Sequence, residues 1–366
     1  MRLLEVLYSF RVGGSETVGL ELAASLKNRG VDVTCASLEG PNGPLVERCR
    51  LYGIPVVDLE IPTTSFLGRN GLSLRVMRNL RSLRLDVLHM HHSVAMNKLV
   101  LAARTAGIPR IVMTEHSTKP LDTEALARWR FRALRPLTSL ITVVDPSIRD
   151  WFVSQLRCPA DAIRVIQNGI NVANWHRRDR PECRQALGIA DQVVFVFVGR
   201  LERVKRVPEL IQAFLNVVER SGTNAMLLVV GGGSESAACA DVVAARRGAA
   251  HVKLVGEQQD VRPYLAAGDA FVMNSSSEGM PRALLEAMYV GLACVAPDVG
   301  GIKDVLSGRG WVFDALSSHS LEAAITAVAA GGAEVQSRCQ RASTYVAEHF
   351  DQDVTTRAYL ECFGTR

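Results

Sequence analysis

Two carboxylates eight positions apart are the first residues in this chain whose spacing suggests chemistry. They bracket Glu278-Gly279-Met280-Pro281-Arg282-Ala283-Leu284-Leu285-Glu286. A Ser-rich loop leads into Glu278, and Glu286 falls two turns into the helix that the apolar spacing predicts over Pro281–Val290. At ~1.5 Å of rise per residue, a fully helical spacing would set them ~12 Å apart. Carboxylates at that separation do not share a proton. They suit two hydroxyl-bearing parts of one elongated ligand. The amides of Gly279 to Ala283 would open a helix N-terminus, where an anion is favoured, although Pro281 has no N–H. A sugar nucleotide carries its groups in this order: sugar hydroxyls, diphosphate, ribose hydroxyls. The competing reading is an ordinary capped helix with one surface Glu.

A second group is Gly199-Arg200-Leu201-Glu202-Arg203-Val204-Lys205, after the apolar run Val193–Val198. Arg200 and Lys205 at a strand's carboxyl end would converge on a diphosphate, one as a planar fork and the other as a point charge. Such cations stabilise a leaving diphosphate without a metal; a solvated basic loop is the plainer alternative. Gly13-Gly14, after the run Leu3–Tyr8, lets backbone approach a phosphate or sugar. It does not complete G-x-G-x-x-G, and no G-x-x-x-x-G-K-[ST] occurs, which argues against a dinucleotide dehydrogenase and a P-loop nucleotidase. No G-x-S-x-G supports a serine hydrolase.

His89, His91 and His92 cluster at one predicted strand end, and His116 follows the next in Thr114-Glu115-His116-Ser117. His89 and His91 share a strand face, but the sequence offers no nearby carboxylate set to complete a metal sphere. A structural His89 and a substrate-facing His116 are the expectations, with no metal and no cofactor. The eight cysteines show no C-x-x-C spacing and read as free thiols of a reducing compartment.

These residues need a scaffold. Short apolar runs alternate with helical periodicity in both halves, predicting parallel sheets flanked by helices, an α/β class of two Rossmann-like doubly wound domains facing a cleft. The runs of the first half are Leu3–Tyr8, Val31–Ala36, Val56–Leu59, Val87–His89, Arg110–Met113 and Leu140–Val144. The first helix is expected to be capped by Ser15. The texture changes around 168–192, where Asn168-Gly169-Ile170 reads as a turn and the polar stretch His176–Pro181 as a linker. Domains of 1–172 and 173–344 follow. With 366 residues, 48% of them hydrophobic, the chain has apolar surface for two cores. Its longest apolar run is far short of the ~20 residues of a bilayer span, and Glu5 interrupts any signal-peptide core. A cytoplasmic protein is expected.

Residues 1–177 carry 23 Lys+Arg against 15 Asp+Glu (net +8), while 178–366 carry 19 against 22 (net −3). Arg75, Arg78, Arg81 and Arg84 are spaced by three. Arg128, Arg130, Arg132 and Arg135 interleave with Trp129, Phe131 and Leu134. Cations mixed with aromatics suit an anionic membrane surface, so a peripheral position on the inner face of the cell membrane is expected. Solvated helices are the alternative. No nucleic-acid reader motif accompanies the basic residues.

The ordered set resembles retaining glycosyltransferases of family 4, of the GT-B fold and the bacterial cell-surface polysaccharide type. It comprises Gly13-Gly14, the T-E-H of 114–116, Asn168-Gly169-Ile170, Gly199-Arg200 with Lys205, Gly231-Gly232-Gly233 and Glu278 to Glu286 as E-x₇-E. The resemblance implies transfer of a sugar from a nucleoside-diphosphate donor, UDP being the commoner, to a hydroxyl of a lipid-linked or glycan acceptor. Arg200 and Lys205 would hold the diphosphate, Glu278 the donor sugar, and Glu286 the ribose hydroxyls. Gly279, Met280 and Pro281 would line sugar and phosphate, Pro281 only by shape. Gly14 would let the first-domain loop close on the phosphate, and His116 would meet the transferred sugar. A last helix, within 345–366, would return to the first domain. A non-catalytic nucleotide-sugar-binding module and a GT-B-like synthase or epimerase are the competing functions.

Overall fold

The structure is a computed structural model describing residues 1–61, 73–118, 121–122, 124–175, 179–246 and 248–364. The chain forms two compact units: residues 1–169 with 352–366, and residues 170–351.

The first unit is a sheet of β1 (Arg2–Leu7), β2 (Asp32–Ser37), β3 (Val87–His91), β4 (Arg110–Glu115), β5 (Leu140–Val143) and β6 (Ile163–Val165). Its order is β2-β1-β3-β4-β5-β6, and every pairing is parallel. β3 is buried along its whole length, as expected for a strand covered by helices on both faces. The run Val56–Leu59 does not become a strand. It makes a single bridge, Val56 to Cys35, because Pro55 lacks an N–H and Glu60 turns the chain with φ 53°. The first helix, Gly14–Asn28, starts two residues earlier than Ser15 would allow as a cap. Gly13 is its N-cap, and Ser15 Oγ instead donates to Glu16 Oε2 at 2.9 Å.

The second unit repeats the plan with β7 (Val193–Val198), β8 (Ala225–Val230), β9 (Val252–Gly256), β10 (Ala270–Val272), β11 (Ala293–Pro297) and β12 (Trp311–Phe313). They lie in the order β12-β11-β10-β7-β8-β9, again all parallel. Part of the expected linker, 176–178, lies outside the described residues. The rest enters the helix Arg180–Leu187, whose N-cap Asp179 accepts from the Glu182 amide.

The helix Ala333–His349 belongs to the second unit, so the return to the first begins only at Gln352. The helix Gln352–Phe363 lies on the helix Gly14–Asn28, where Thr356 Oγ1 donates to Ser25 Oγ at 2.9 Å and Arg29 pairs with Asp353 at 3.0 Å. Thr355 Oγ1 donates to the Gln167 carbonyl. A Cβ on Gly169 would stand 2.6 Å from Thr355 Oγ1, so the Asn168-Gly169 turn needs glycine to admit this helix.

In each sheet the strand order reverses beside its first strand, between β1 and β3 and between β7 and β10. In open α/β sheets, ligands bind beyond the carboxyl ends of the strands at such a switch point.

Candidate functional site

At the switch point of the second unit the loop after β7 carries Arg200 and Lys205, and the loop after β10 carries Glu278. Lys205 sits in a 3₁₀ turn, Arg203–Lys205, closed by its amide donating to the Glu202 carbonyl. Arg206, left-handed at φ 50°, starts the helix Val207–Ser221 immediately afterwards. The Ser-rich loop is tied to this turn: Ser276 N donates to the Val204 carbonyl at 2.8 Å, and Asn274 Nδ2 to the Arg206 carbonyl at 3.2 Å. These bonds bring Lys205 Nζ to 2.5 Å from Glu278 Oε1. The carboxylate is the more buried partner, at 11% side-chain exposure against 22%.

Two glycines permit the approach. A Cβ on Gly231 would come to 1.8 Å from the Gly199 carbonyl oxygen. One on Gly300, left-handed at φ 54°, would come to 2.3 Å from that of Glu278. Neither role was read from the sequence, although Gly231 opens the quoted G-G-G turn.

Pro281 is the N-cap of the helix Arg282–Tyr289, one residue inside the expected span at each end. Met280 is buried in the core of this unit, and Gly279 is half-buried. Glu286 is buried and accepts from Arg282 Nε at 2.6 Å, four residues earlier on the same helix. Sequence reasoning missed Arg282, although its i,i+4 spacing to Glu286 was a usable signal. The structure therefore joins the site residues of this unit as two ion pairs, Lys205–Glu278 and Arg282–Glu286. Arg200 is not drawn into either and lies exposed.

At the switch point of the first unit the histidines meet a carboxylate. Glu5 points inward from the middle of β1 and is fully buried. His91 Nε2 lies 2.5 Å from Glu5 Oε1, and His89 Nδ1 lies 3.0 Å from the same carboxylate. The sequence offered no carboxylate set near the histidine pair to complete a metal sphere; the fold brings one carboxylate, Glu5, beside it. The signal was a lone acid in the apolar run Leu3–Tyr8; in the sheet it pairs in register with His89. The ligating atoms of Glu5, His89 and His91 lie within 4.8 Å of one another, a group of the size that holds a metal ion. Each already has a side-chain hydrogen-bond partner: His89 Nε2 meets Thr114 Oγ1 at 2.7 Å, and His91 Nδ1 meets His116 Nε2 at 2.8 Å. Thr114 Oγ1 in turn contacts Thr142 Oγ1 at 2.5 Å and Tyr359 OH, from the returning helix, at 3.1 Å.

Burial pushes the Glu5 carboxyl up, but the charge and hydrogen bonds of His89 and His91 outweigh it and hold the pKa at about 2. Burial pushes His91 below the ordinary imidazole value against the pull of Glu5. It pushes His116 well below, with the neighbouring histidines acting in the same direction. Burial also lowers His92, but the hydrogen bond and charge of Glu115 win and leave it raised. Glu115 Oε1 meets His92 Nδ1 at 3.0 Å and accepts from the His116 amide at 3.2 Å, while Oε2 accepts from the Ser93 amide at 2.9 Å. One carboxylate thus fixes the start of the helix His92–Thr105 and the loop bearing His116. Gly13 and Gly14 open the helix after β1; Gly14 is exposed, and a Cβ there would meet nothing within 4 Å. Asn168 is buried at the turn that precedes the second unit.

The arginine groups divide. Arg75, Arg78 and Arg81 lie on the helix Leu74–Ser82, but Arg84 is beyond its end and left-handed, so the four do not share a helix face. On the helix Ala125–Leu134, Trp129 is 66% exposed, whereas Phe131 is fully buried and belongs to the core. Arg132 is spent on the carbonyls of Gln155 and Leu156. Among the described residues no helix is long and apolar enough to cross a membrane. All eight cysteines are free thiols.

Comparison with known proteins gives these sites a setting. Residues 12–174 match the model for Glycosyltransferase Family 4, and residues 179–345 that for Glycosyl transferases group 1. The chain is 25% identical over 316 residues, 81% of its length and 78% of the relative's, to an N-acetyl-alpha-D-glucosaminyl L-malate synthase of Bacillus anthracis. It is 27% identical, over 79% of its length and 77% of the relative's, to a UDP-Gal:alpha-D-GlcNAc-diphosphoundecaprenol alpha-1,3-galactosyltransferase of Escherichia coli. The fold matches Anabaena HepE, solved with UDP and glucose, at a TM-score of 0.85 and 20% identity, covering all of both chains. It matches WaaG, a glycosyltransferase involved in lipopolysaccharide biosynthesis, at 0.74 and 18%, again over all of both chains. With a family 4 domain in its first unit, a group 1 domain in its second and the GT-B architecture in both sheets, the chain belongs to the family 4 type of glycosyltransferase.

Proposed function

We propose that this glycosyltransferase moves a sugar from a UDP-sugar to a hydroxyl of a lipid-linked or glycan acceptor in cell-surface polysaccharide assembly, with retention of the anomeric configuration. The observation that carries the reading is the Lys205–Glu278 pair at the switch point of the second sheet. There a fixed cation and a half-buried carboxylate stand just before a helix N-terminus. In this reading Arg200 and Lys205 meet the donor diphosphate, and Glu278 turns from Lys205 to the donor sugar. Glu286, held by Arg282, takes the ribose hydroxyls. Gly279, Met280 and Pro281 line sugar and phosphate. Negative charge grows on the diphosphate as the sugar becomes oxocarbenium-like, and preorganised donors stabilise that charge. The cations do this without a resident metal. The first unit contributes Gly13 and Gly14 toward the phosphate and His116 toward the transferred sugar, and Asn168 is grouped with the substrate-binding residues.

UDP as the donor nucleotide is supported by HepE, solved with UDP and glucose, and by the UDP-Gal in the name of the Escherichia coli relative. The diphosphoundecaprenol in that name supports a lipid-linked acceptor. The name of the Bacillus anthracis relative contains L-malate, which makes malate the informative competitor acceptor. Exposed Leu74, Leu126 and Trp129, among the arginines of the first unit, support peripheral contact with an anionic inner membrane face.

A thermal-shift panel of UDP, GDP and their sugars, followed by a transfer assay with a polyprenyl-diphosphate glycan and with L-malate, tests the reading. UDP-sugars are expected to raise the Tm, because a ligand of the folded state alone stabilises it. Transfer to the lipid-linked glycan with unchanged anomeric configuration is expected, and chelator should leave it intact. Stabilisation by UDP without sugar release would replace this reading by a binding module, and chelator-sensitive transfer would remove its metal-free part. Equal flotation with neutral and anionic vesicles would remove the membrane contact.

A further inference from the structure

We propose that Arg206 and Asn274 are positioning residues that hold the turn Arg203–Lys205 so that Lys205 meets Glu278 and stands ready for the donor diphosphate. The signal is a strained residue whose strain serves no local purpose. Arg206 is left-handed at φ 50°, a conformation that is costly for a residue with a Cβ and that glycine adopts freely. It is also the N-cap of the helix Val207–Ser221, where Ser, Thr, Asp or Asn would be usual, and its side chain makes no capping bond. Neither the turn nor the helix start accounts for an arginine here. The guanidinium does: Nη1 donates to the Ala315 carbonyl at 2.7 Å. Backbone strain that the surroundings hold in place gathers at functional sites, and this residue directly follows Lys205.

Arg206 is gripped at both its side chain and its main chain. Ala315 lies just after β12, in a loop closed on itself: Asp314 Oδ1 accepts from the Leu316 amide at 2.9 Å, and the Asp314 amide donates to Ser320 Oγ at 3.1 Å. Asn274, buried just after β10, donates through Nδ2 to the Arg206 carbonyl at 3.2 Å. The same carbonyl accepts from the Leu210 amide at 3.1 Å, inside the helix that follows. The loops after two other strands of the sheet are thereby tied to one residue of the loop after β7. The Arg206 amide donates to the Arg203 carbonyl at 3.2 Å, so what fixes Arg206 also fixes the 3₁₀ turn.

Lys205 needs such a hold. Its ammonium is a point charge on a flexible stem, and it stays in one place only where the backbone beneath it is fixed and a partner receives it. Glu278 is the partner, 2.5 Å from Nζ, and the Arg206 anchors fix the backbone. Released from Ala315 or from Asn274, the turn is free to swing, and Lys205 swings with it. Arg206 and Asn274 act through Lys205 rather than on the ligand. The role toward the diphosphate rests on the proposed function; the hold on Lys205 does not.

Arg206→Gly, made in the full chain, separates stability from positioning. Glycine accepts the left-handed backbone, which offsets the lost hydrogen bond, so the Tm should stay near that of the unaltered protein. At saturating UDP-sugar, kcat should fall about tenfold with acceptor KM unchanged, since a small misplacement of a catalytic group slows the reaction in an intact fold. Arg206→Lys keeps a donor for the Ala315 carbonyl and should recover most of that loss. Asn274→Ala leaves Arg206 in place and should lower kcat in the same direction. Near-native kcat in either Arg206→Gly or Asn274→Ala would overturn the inference, and so would a failure of Arg206→Lys to recover activity.

A double-mutant cycle tells positioning from contact. In a Lys205→Ala background, Arg206→Gly should cause no further loss, because the group it positions is already gone. Multiplied losses would overturn the inference and make Arg206 a ligand contact in its own right. A readout without substrate separates the hold from the function. In protein labelled with ¹⁵N-lysine, the ammonium signal that Lys205→Ala removes should be present in the unaltered chain and should shift in Arg206→Gly. An unmoved signal would overturn the inference. Absence of any UDP-sugar turnover by the unaltered chain, with that signal displaced in Arg206→Gly, would refute the proposed function and leave the hold on Lys205 standing.

Discussion

The two sheets share one topology, yet they treat charge at their switch points in opposite ways. In the first unit two carboxylates, Glu5 and Glu115, are sealed in the core and answered by a branching network of imidazoles, hydroxyls and backbone amides. In the second, Lys205–Glu278 and Arg282–Glu286 are ion pairs between groups that keep some exposure. A sealed, satisfied network rigidifies and specifies, since every member would be costly to leave unpaired. A partly exposed pair at a strand end can be opened by a ligand that supplies equivalent partners. The first site is built to hold a geometry and the second to exchange partners.

The largest effect that separates them is expected at Lys205. Lys205→Ala removes the cation proposed to meet the leaving diphosphate, and loss of one such donor costs on the order of 10²–10³ in rate. The fall should appear in kcat, measured at saturating donor, with acceptor KM little changed. Thermal denaturation should show a folded protein, because the freed Glu278 retains some access to solvent. Near-native kcat would mean that the pair is structural and would erase the contrast between the sheets.

Acid sharpens the comparison from the other side. The folded Glu5 carboxyl titrates at about 2, below the unfolded value of 4.5, so the stability it contributes is present above 4.5 and lost as the pH falls toward 2. The shift corresponds to about 3 kcal/mol at full loss. His91 and His116 are held below the ordinary imidazole value, so they too make the folded state less stable as the pH falls, beginning near 6.5 where unfolded imidazoles protonate. His92 is raised; its contribution is complete below that value and is lost as the pH rises through its folded pKa. Two lowered groups against one raised group predict a net loss on mild acidification. Urea unfolding followed through Trp151, in the first unit, should show a midpoint that falls between pH 7 and pH 5. A midpoint flat across that range would contradict the sealed-network account.

Much of this architecture can be read in the order of residues, for reasons that differ by element. The run Val193–Val198 declares a buried parallel strand because it needs no polar face. Val56–Leu59 looks similar over four residues, but a proline beside it and a left-handed turn after it leave room for one bridge only. The E-x₇-E spacing located the second site because its charges sit close together in the chain. Glu5 and His91 are 86 residues apart, and nothing local links them until β1 and β3 are neighbours. Gly300 is equally silent, since its need for a left-handed turn comes from the Glu278 backbone pressing against it. Phe131 misled for the opposite reason: a basic, aromatic helix reads as all surface until the structure buries one face.

A smaller effect is expected at Glu286, where the two halves of an ion pair have separable tasks. Arg282 Nε donates to Glu286 Oε1 at 2.6 Å, and an amide oxygen can accept the same bond, so Glu286→Gln should keep the helix and the Tm nearly intact. What it loses is charge toward the ribose hydroxyls. Hydrogen bonds to a charged acceptor exceed those to a neutral one by about 1 kcal/mol, so the donor KM should rise roughly fivefold to tenfold with kcat little changed. Arg282→Gln probes the other task, since it leaves Glu286 charged but less firmly held. If orientation by Arg282 is what makes Glu286 effective, the double variant should bind donor no worse than Glu286→Gln alone. Additive losses would show instead that Arg282 acts on the ligand directly, and that this second pair, like Lys205–Glu278, opens on both sides.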